Sequence, residues 1–227
     1  MAIHGQQGHA TAAKVLLTVL HVFSIVAAAW ILLEGEAGVR QEATPGSAGV
    51  DQAVQAMTLI AFAVIYLARL SLGGSVFLSR GMGWAEALTV GLLLLVVHPL
   101  FAALALHSTP SDLPLWWTAV LLYGLGSFLN SWSEYQRYRF KQRQPNALYT
   151  GGLFRLVRHP NYLGDTLLFT GYALATGSLW ALIVPALMAL GFVLLHIPKL
   201  DRHLDAKYGA EYRAWAARTA RFVPGVY

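Results

Sequence analysis

GGLFRLVRHPNYLGD, residues Gly151–Asp165, sets a polar, basic turn directly against apolar sequence. Arg155, Arg158, His159, Asn161, Tyr162 and Asp165 fall within eleven residues, just where a new hydrophobic run begins. Gly151 and Gly152 open backbone conformations that other residues resist, and Pro160 fixes φ and removes a donor. A basic loop beside a hydrophobic span often does no more than anchor it at a membrane surface. An anchor has no use for Asn161, Tyr162 and Asp165, and acids at a membrane boundary are functional candidates.

Outward from this turn, the chain is mostly apolar. Its 227 residues are 56% hydrophobic and only 12% charged, which sets it apart from soluble domains. Runs near bilayer length predict six spans: Val15–Leu33, Val54–Leu72, Ala85–Leu106, Leu115–Trp132, Tyr162–Ala175 and Leu179–Ile197. The expected fold is an all-α, polytopic transmembrane bundle forming one integral membrane domain over 1–227. Four spans lie in 14–133, a basic loop in 134–160, a helical hairpin in 161–197 and a basic tail in 198–227. The polar start followed by a span-length run does not read as a cleavable signal peptide.

The net charge of +5 is gathered in two places. Six Lys/Arg residues lie between Glu134 and Pro160 and six more from Lys199 onward, so both segments belong on the cytoplasmic side. The acidic loop 35–52 then falls outside, the Arg80 loop inside, and six spans return both termini to the cytoplasm. Charge placed this way suits topology, membrane lipids and an anionic cofactor rather than nucleic acid. Arg137, Arg139, Lys141 and Arg143 on one side, with Arg155 and Arg158 on the other, would suit a polyphosphate, since guanidinium forks match phosphate oxygens. Asn130, Glu134, Tyr149 and Asn161 accompany them.

The absence of cysteine excludes disulfides, thiolate metal sites and cysteine nucleophiles. His21, His98, His107, His159, His196 and His203 show no H-x-x-x-H pair, so no metal site is expected. Serine hydrolase chemistry lacks its strand–turn–helix setting. Glu34 and Tyr66 are a candidate proton-donating pair for a substrate carbonyl. The topology puts Glu34 toward the outer side and Tyr66 deeper, so they meet only if the helices tilt or Glu34 points into the bundle.

Arg158–Asp165, RHPNYLGD, resembles the signature of the membrane sterol reductases. The longer pattern GGLF…NYLGD…GYALATGSL, from Gly151 to Leu179, resembles the steroid 5α-reductases, as does LNSWSE at Leu129–Glu134. KYG at Lys207–Gly209 and FVPGVY at Phe222–Tyr227 are similar to the endings of both groups. AAWILLE, Ala28–Glu34, resembles the family's AWFLQE, with Leu33 replacing its Gln; IYLAR resembles the segment of its catalytic Tyr. The match covers about the last 100 residues well and the first half thinly. That family typically has seven spans, and the one before the Glu helix would be missing here.

The resemblance implies an NADPH-dependent reductase of a carbon–carbon double bond conjugated to a ketone, acting on a flat, steroid-like lipid that enters from the bilayer. It implies Glu34 and Tyr66 as catalytic residues, with Glu42 the alternative acid in another register. It implies a cofactor held by Asn130, Glu134, Arg139, Tyr149, Arg158, Asn161, Tyr162, Asp165, His203, Lys207 and Tyr208. A second family, the S-adenosylmethionine-dependent isoprenylcysteine and phospholipid methyltransferases, also carries an RHPxYxG element like Arg158–Gly164. Its pattern continues into a Glu-Glu pair, where this chain has Leu200 and Asp201. A lipid-binding or transport bundle is the non-enzymatic reading. The sequence leaves the enone and the oligomeric state open.

Overall fold

The computed structural model describes residues 2–38, 50–74 and 82–225. Glu42 and Arg80 lie outside the described residues. The helices are α1 (Ala2–Gly38), α2 (Gln52–Leu72), α3 (Trp84–Leu106), α4 (Leu113–Arg143), α5 (Pro160–Ala175), α6 (Ile183–Gly191), α7 (Ile197–Tyr208) and α8 (Ala210–Ala216). A π-helical segment, Phe192–His196, joins α6 to α7, and a short 3₁₀ turn, Gly152–Arg155, precedes the RHP motif. Among the described residues no strand forms, and a single parallel bridge pairs Val157 with Ala220.

Among the described residues, four helical stretches are long and apolar enough to cross a membrane: Thr11–Glu34, Gln52–Leu72, Trp84–Leu106 and Leu179–Tyr208. The chain therefore reads as an integral membrane protein. Six spans were expected; the other two are helical in place but do not meet the same test. α5 has 16 residues, fewer than the roughly 20 that a bilayer crossing takes. α4 turns polar from Ser131 onward. The last apolar stretch, in turn, runs on into the tail.

Two compact units result. The first comprises residues 1–121 and 171–182, the second 122–170 and 183–227. In the first, α1 packs chiefly on α3 and also on α2. α3 is apolar all round: it buries Leu94, Val97 and Phe101 while Leu92, Leu93 and Val96 face outward, as in a helix surrounded by lipid. The end of α5 is held by specific polar contacts. Tyr172 donates to the Leu59 carbonyl (3.0 Å), Gln55 to that of Ala175 (3.1 Å), and Ser111 to that of Leu174 (3.0 Å). Asp51 caps α2 by accepting from the Val54 amide at 2.7 Å.

In the second unit, α4 and α5 meet backbone to backbone at Gly126 and Gly164. A Cβ on Gly164 would stand 2.6 Å from the Asn130 nitrogen and 2.7 Å from the Gly126 carbonyl oxygen. Small residues permit this approach. Leu148, Phe154, Tyr212 and Trp215 form a core beside it. Trp215 donates to the Phe154 carbonyl (3.1 Å), and Lys141 ties the loop by donating to the carbonyls of Pro145 (3.2 Å) and Ala147 (2.7 Å). Gly152 has φ +54, with the Gln136 amide where a side chain would go, so only glycine suits that turn.

Candidate functional site

The RHP motif is organised by a carboxylate from α7. Asp201 pairs with Arg158 (Nη1–Oδ2 3.2 Å), with His159 (Nε2–Oδ1 2.9 Å) and with Arg221 (Nε–Oδ2 3.1 Å). Arg158 also donates to the Tyr212 hydroxyl at 2.8 Å. Burial pushes the Tyr212 phenol up and the Asp201 carboxylate adds to it, so it reaches about 12 against the opposing charge of Arg158. The Arg158 amide donates to the Ala220 carbonyl at 2.8 Å, which draws the tail onto the motif. Of this group, sequence reasoning placed Arg158 alone among the cofactor residues. The signal for the rest was an acid, Asp201, at the point where the last apolar run turns basic.

Around this anchor lie the residues expected to hold the cofactor, all in the second unit. Asn130 donates to the Asn161 carbonyl at 3.1 Å, joining LNSWSE to the NYLGD helix. Tyr162 stacks on Phe192, with centroids 4.5 Å apart, and on His159 at 5.7 Å. Tyr149 lies between Phe140 and Phe154, at 4.9 and 5.3 Å. Tyr208 accepts from Lys141 at 2.8 Å, and Lys207 sits over its ring at 5.2 Å. Asp165 is half-buried, while Arg139, His203 and Lys207 are exposed. Glu134 is paired with Arg137 and Arg158 with Asp201, so two of the expected cofactor residues already serve the fold.

The first unit holds the catalytic candidates, and here the structure departs from expectation. Tyr66 is buried, with its ring edge-on to His21 at 5.5 Å and the Arg69 guanidinium 4.8 Å above it. Glu34 is exposed. It stands thirteen residues beyond His21 on the same helix, about 20 Å along the axis at 1.5 Å per residue. The carboxylate and the phenol are therefore not brought together: a local motif match carries no information about helix pitch.

What Tyr66 meets instead is a group of buried imidazoles. His21 and His98 are 0% and 1% exposed and stack at 5.1 Å. Ser24 donates to the Leu94 carbonyl (2.6 Å) and lies 2.7 Å from His98 Nδ1. A hydroxyl has one hydrogen, so His98 must be the donor in the second contact, which leaves its Nε2 an acceptor. That Nε2 and both nitrogens of His21 are buried with no hydrogen-bond partner among the described residues. Each such atom costs on the order of 1–3 kcal/mol. Among the described residues no group of three His, Cys, Asp or Glu could hold a metal ion.

A multi-helix membrane bundle with an RHPNYLG element locked to an inner acid defines the class. Residues 84–219 match the family described as "Protein of unknown function (DUF1295)", and the chain belongs to that family. The family is part of the steroid 5α-reductase-like superfamily. Over 89 residues (38% of the chain), it is 34% identical to a protein of Ustilaginoidea virens named "Probable O-methyltransferase ustE". Over 86 residues (36% of the chain), it is 30% identical to a protein of Acanthamoeba polyphaga mimivirus named "Probable 7-dehydrocholesterol reductase". The matches span 31% and 19% of those two proteins' own lengths.

Proposed function

We propose that this chain is an NADPH-dependent membrane reductase of an enone double bond in a steroid-like lipid. The observation that carries the reading is Tyr66, a phenol buried among imidazoles inside an apolar bundle, the setting in which a donor can polarise the ketone of a lipid-soluble molecule. The likeness to the named sterol reductase supports it.

The donor set of the second unit suits a phosphate-bearing nucleotide. Arg139, His203 and Lys207 present exposed basic groups, and Asn161, Tyr162 and Asp165 open the first turns of α5. These residues, with Asn130, Tyr149 and Tyr208, would hold the cofactor, while Arg158 and Glu134 set the shape of its surroundings. Bound NADPH supplies the hydride that reduces the β-carbon. Tyr66 donates a hydrogen bond to the ketone oxygen and stabilises the enolate-like charge, a contribution on the order of 10²–10³ in rate. The α-carbon would then take a proton from solvent, completing addition of hydride and proton across the double bond. Glu34, exposed and far along α1, has no part in this step.

The likeness to the named O-methyltransferase favours a second reading, in which the same RHPNYLG unit serves S-adenosylmethionine. Titrating the detergent-solubilised protein with each nucleotide separates the two. NADPH binding that Asn161→Ala weakens, followed by enone-dependent NADPH oxidation, supports the reductase. Binding of S-adenosylmethionine alone makes the chain a methyltransferase. Binding of neither leaves a lipid-binding bundle.

A further inference from the structure

The first unit contains a narrow cleft of about 30 Å³, room for the small polar end of a molecule rather than for a whole ligand. Leu17, Leu67 and Leu70 form its apolar walls, with Lys14 and Ser71 toward the outside. Lys14 is half-buried, whereas His21, two turns and roughly 10 Å deeper on the same face of α1, is fully buried. The cleft thus runs from a polar mouth, between apolar walls, to an imidazole whose two ring nitrogens have no hydrogen-bond partner among the described residues.

Packing does not explain this imidazole. Its neighbours on α1, Leu17 and Ser24, are respectively apolar and fully hydrogen-bonded, and a leucine at position 21 would leave nothing unsatisfied. Nor does His98 satisfy it: the two rings stack rather than meet edge to edge, and His98 points its only donor at Ser24. A neutral imidazole has one N–H to give, and the oxygen of a ligand entering the cleft can accept it. The walls require the remainder of that ligand to be apolar.

We propose that this cleft binds the oxygen-bearing end of an apolar ligand, a ketone accepting a hydrogen bond from His21. Identifying the ketone with the substrate enone rests on the reductase reading; the cleft and its unsatisfied imidazole do not. His21 then occupies the place beside Tyr66 that the motif match had given to Glu34, as a binding residue for the substrate oxygen.

The test uses the nucleotide-free protein in detergent, titrated with a 3-ketosteroid enone and with its 3-deoxo analogue, followed by difference absorbance of the enone band. Expected are at least tenfold tighter binding of the ketone and a red-shifted band, the signature of an oxygen accepting a hydrogen bond. His21→Phe should remove both; His21→Gln, which keeps an N–H donor, should retain the shift. Equal affinity for ketone and deoxo analogue overturns the proposal, as does an unchanged red shift in His21→Phe. Where His21→Phe does not fold, the ketone-to-deoxo comparison on the unsubstituted protein decides alone. A His21-dependent shift in a protein that binds no NADPH upholds the cleft and sinks the reductase. NADPH binding with a His21-independent shift does the reverse.

Discussion

The two units treat their buried polar groups in opposite ways. Around Asp201 the carboxylate is answered from within: two arginines and a histidine converge on it, and a phenol takes a further hydrogen from Arg158, of whose side-chain nitrogens Nε alone is buried without a hydrogen-bond partner among the described residues. Around His21 and His98, where burial is deeper, three of the four ring nitrogens have no hydrogen-bond partner among the described residues. A saturated network specifies a shape; an unsaturated one is stable only if something else completes it or if function maintains it. The RHP motif, read in the sequence as a row of ligand contacts, is thus partly scaffold, and the bland apolar half carries the open imidazoles.

Breaking the Asp201 network should have the largest effect. Asp201→Asn leaves Arg158, His159 and Arg221 without their countercharge, and removal of one member of a buried pair typically costs about 3–5 kcal/mol. Thermal unfolding in detergent should show a loss of that order, whereas an unchanged midpoint would mean the network is decorative. Next in size is Gly164→Ala, whose new methyl meets the Asn130 nitrogen at 2.6 Å. The rigid backbone there cannot yield cheaply, so about 1–3 kcal/mol of destabilisation is expected in the same assay, with weakened nucleotide binding as the helix pair parts.

The unsaturated side should respond in the other direction. His98→Leu removes a buried acceptor without a partner but also the donor to Ser24. His21→Leu removes two unsatisfied nitrogens and replaces the ring contacts to His98 and Tyr66 by aliphatic ones, and should leave the unfolding midpoint unchanged or raise it, since replacing orphaned polar groups by apolar ones is neutral or stabilising. A marked drop for His21→Leu would show that the imidazole has a structural partner after all, and the contrast between the units would collapse. The smallest effect is on titration. With its pKa raised to about 12 against a usual 10, Tyr212 favours folding below pH 10, and that contribution fades as the pH climbs to 12. An ultraviolet phenolate titration should lose its latest-ionising tyrosine in Tyr212→Phe.

Much of this was legible in the chain. Apolar length located the helices, including α4 and α5, because hydrophobicity needs no tertiary knowledge. The turn glycines were legible too, since their conformational need is local; the contact of Asn130 with Asn161, 31 residues on, was not. Asp201 was passed over because it was weighed only as half of an absent Glu-Glu pair, and its meaning depends on residues 42 and 43 positions away. His21 and His98 were weighed only as metal ligands. Their stacking joins α1 to α3 across 77 residues, which no local pattern encodes. The pairing of Glu34 with Tyr66 was not legible for the converse reason: most of the letters fitted, but a rigid rod carries the carboxylate away from the phenol.

The π-helical segment Phe192–His196 acts as a clutch in the last long helix. One surplus residue in such a turn rotates everything after it by roughly 100° relative to an uninterrupted α-helix. The apolar stripe of α6 and the inward side of α7 are therefore set independently, and Asp201 faces His159 only because the phase slips between them. Shortening the segment by a single residue would swing the carboxylate off its three partners, with no change to any residue that touches them.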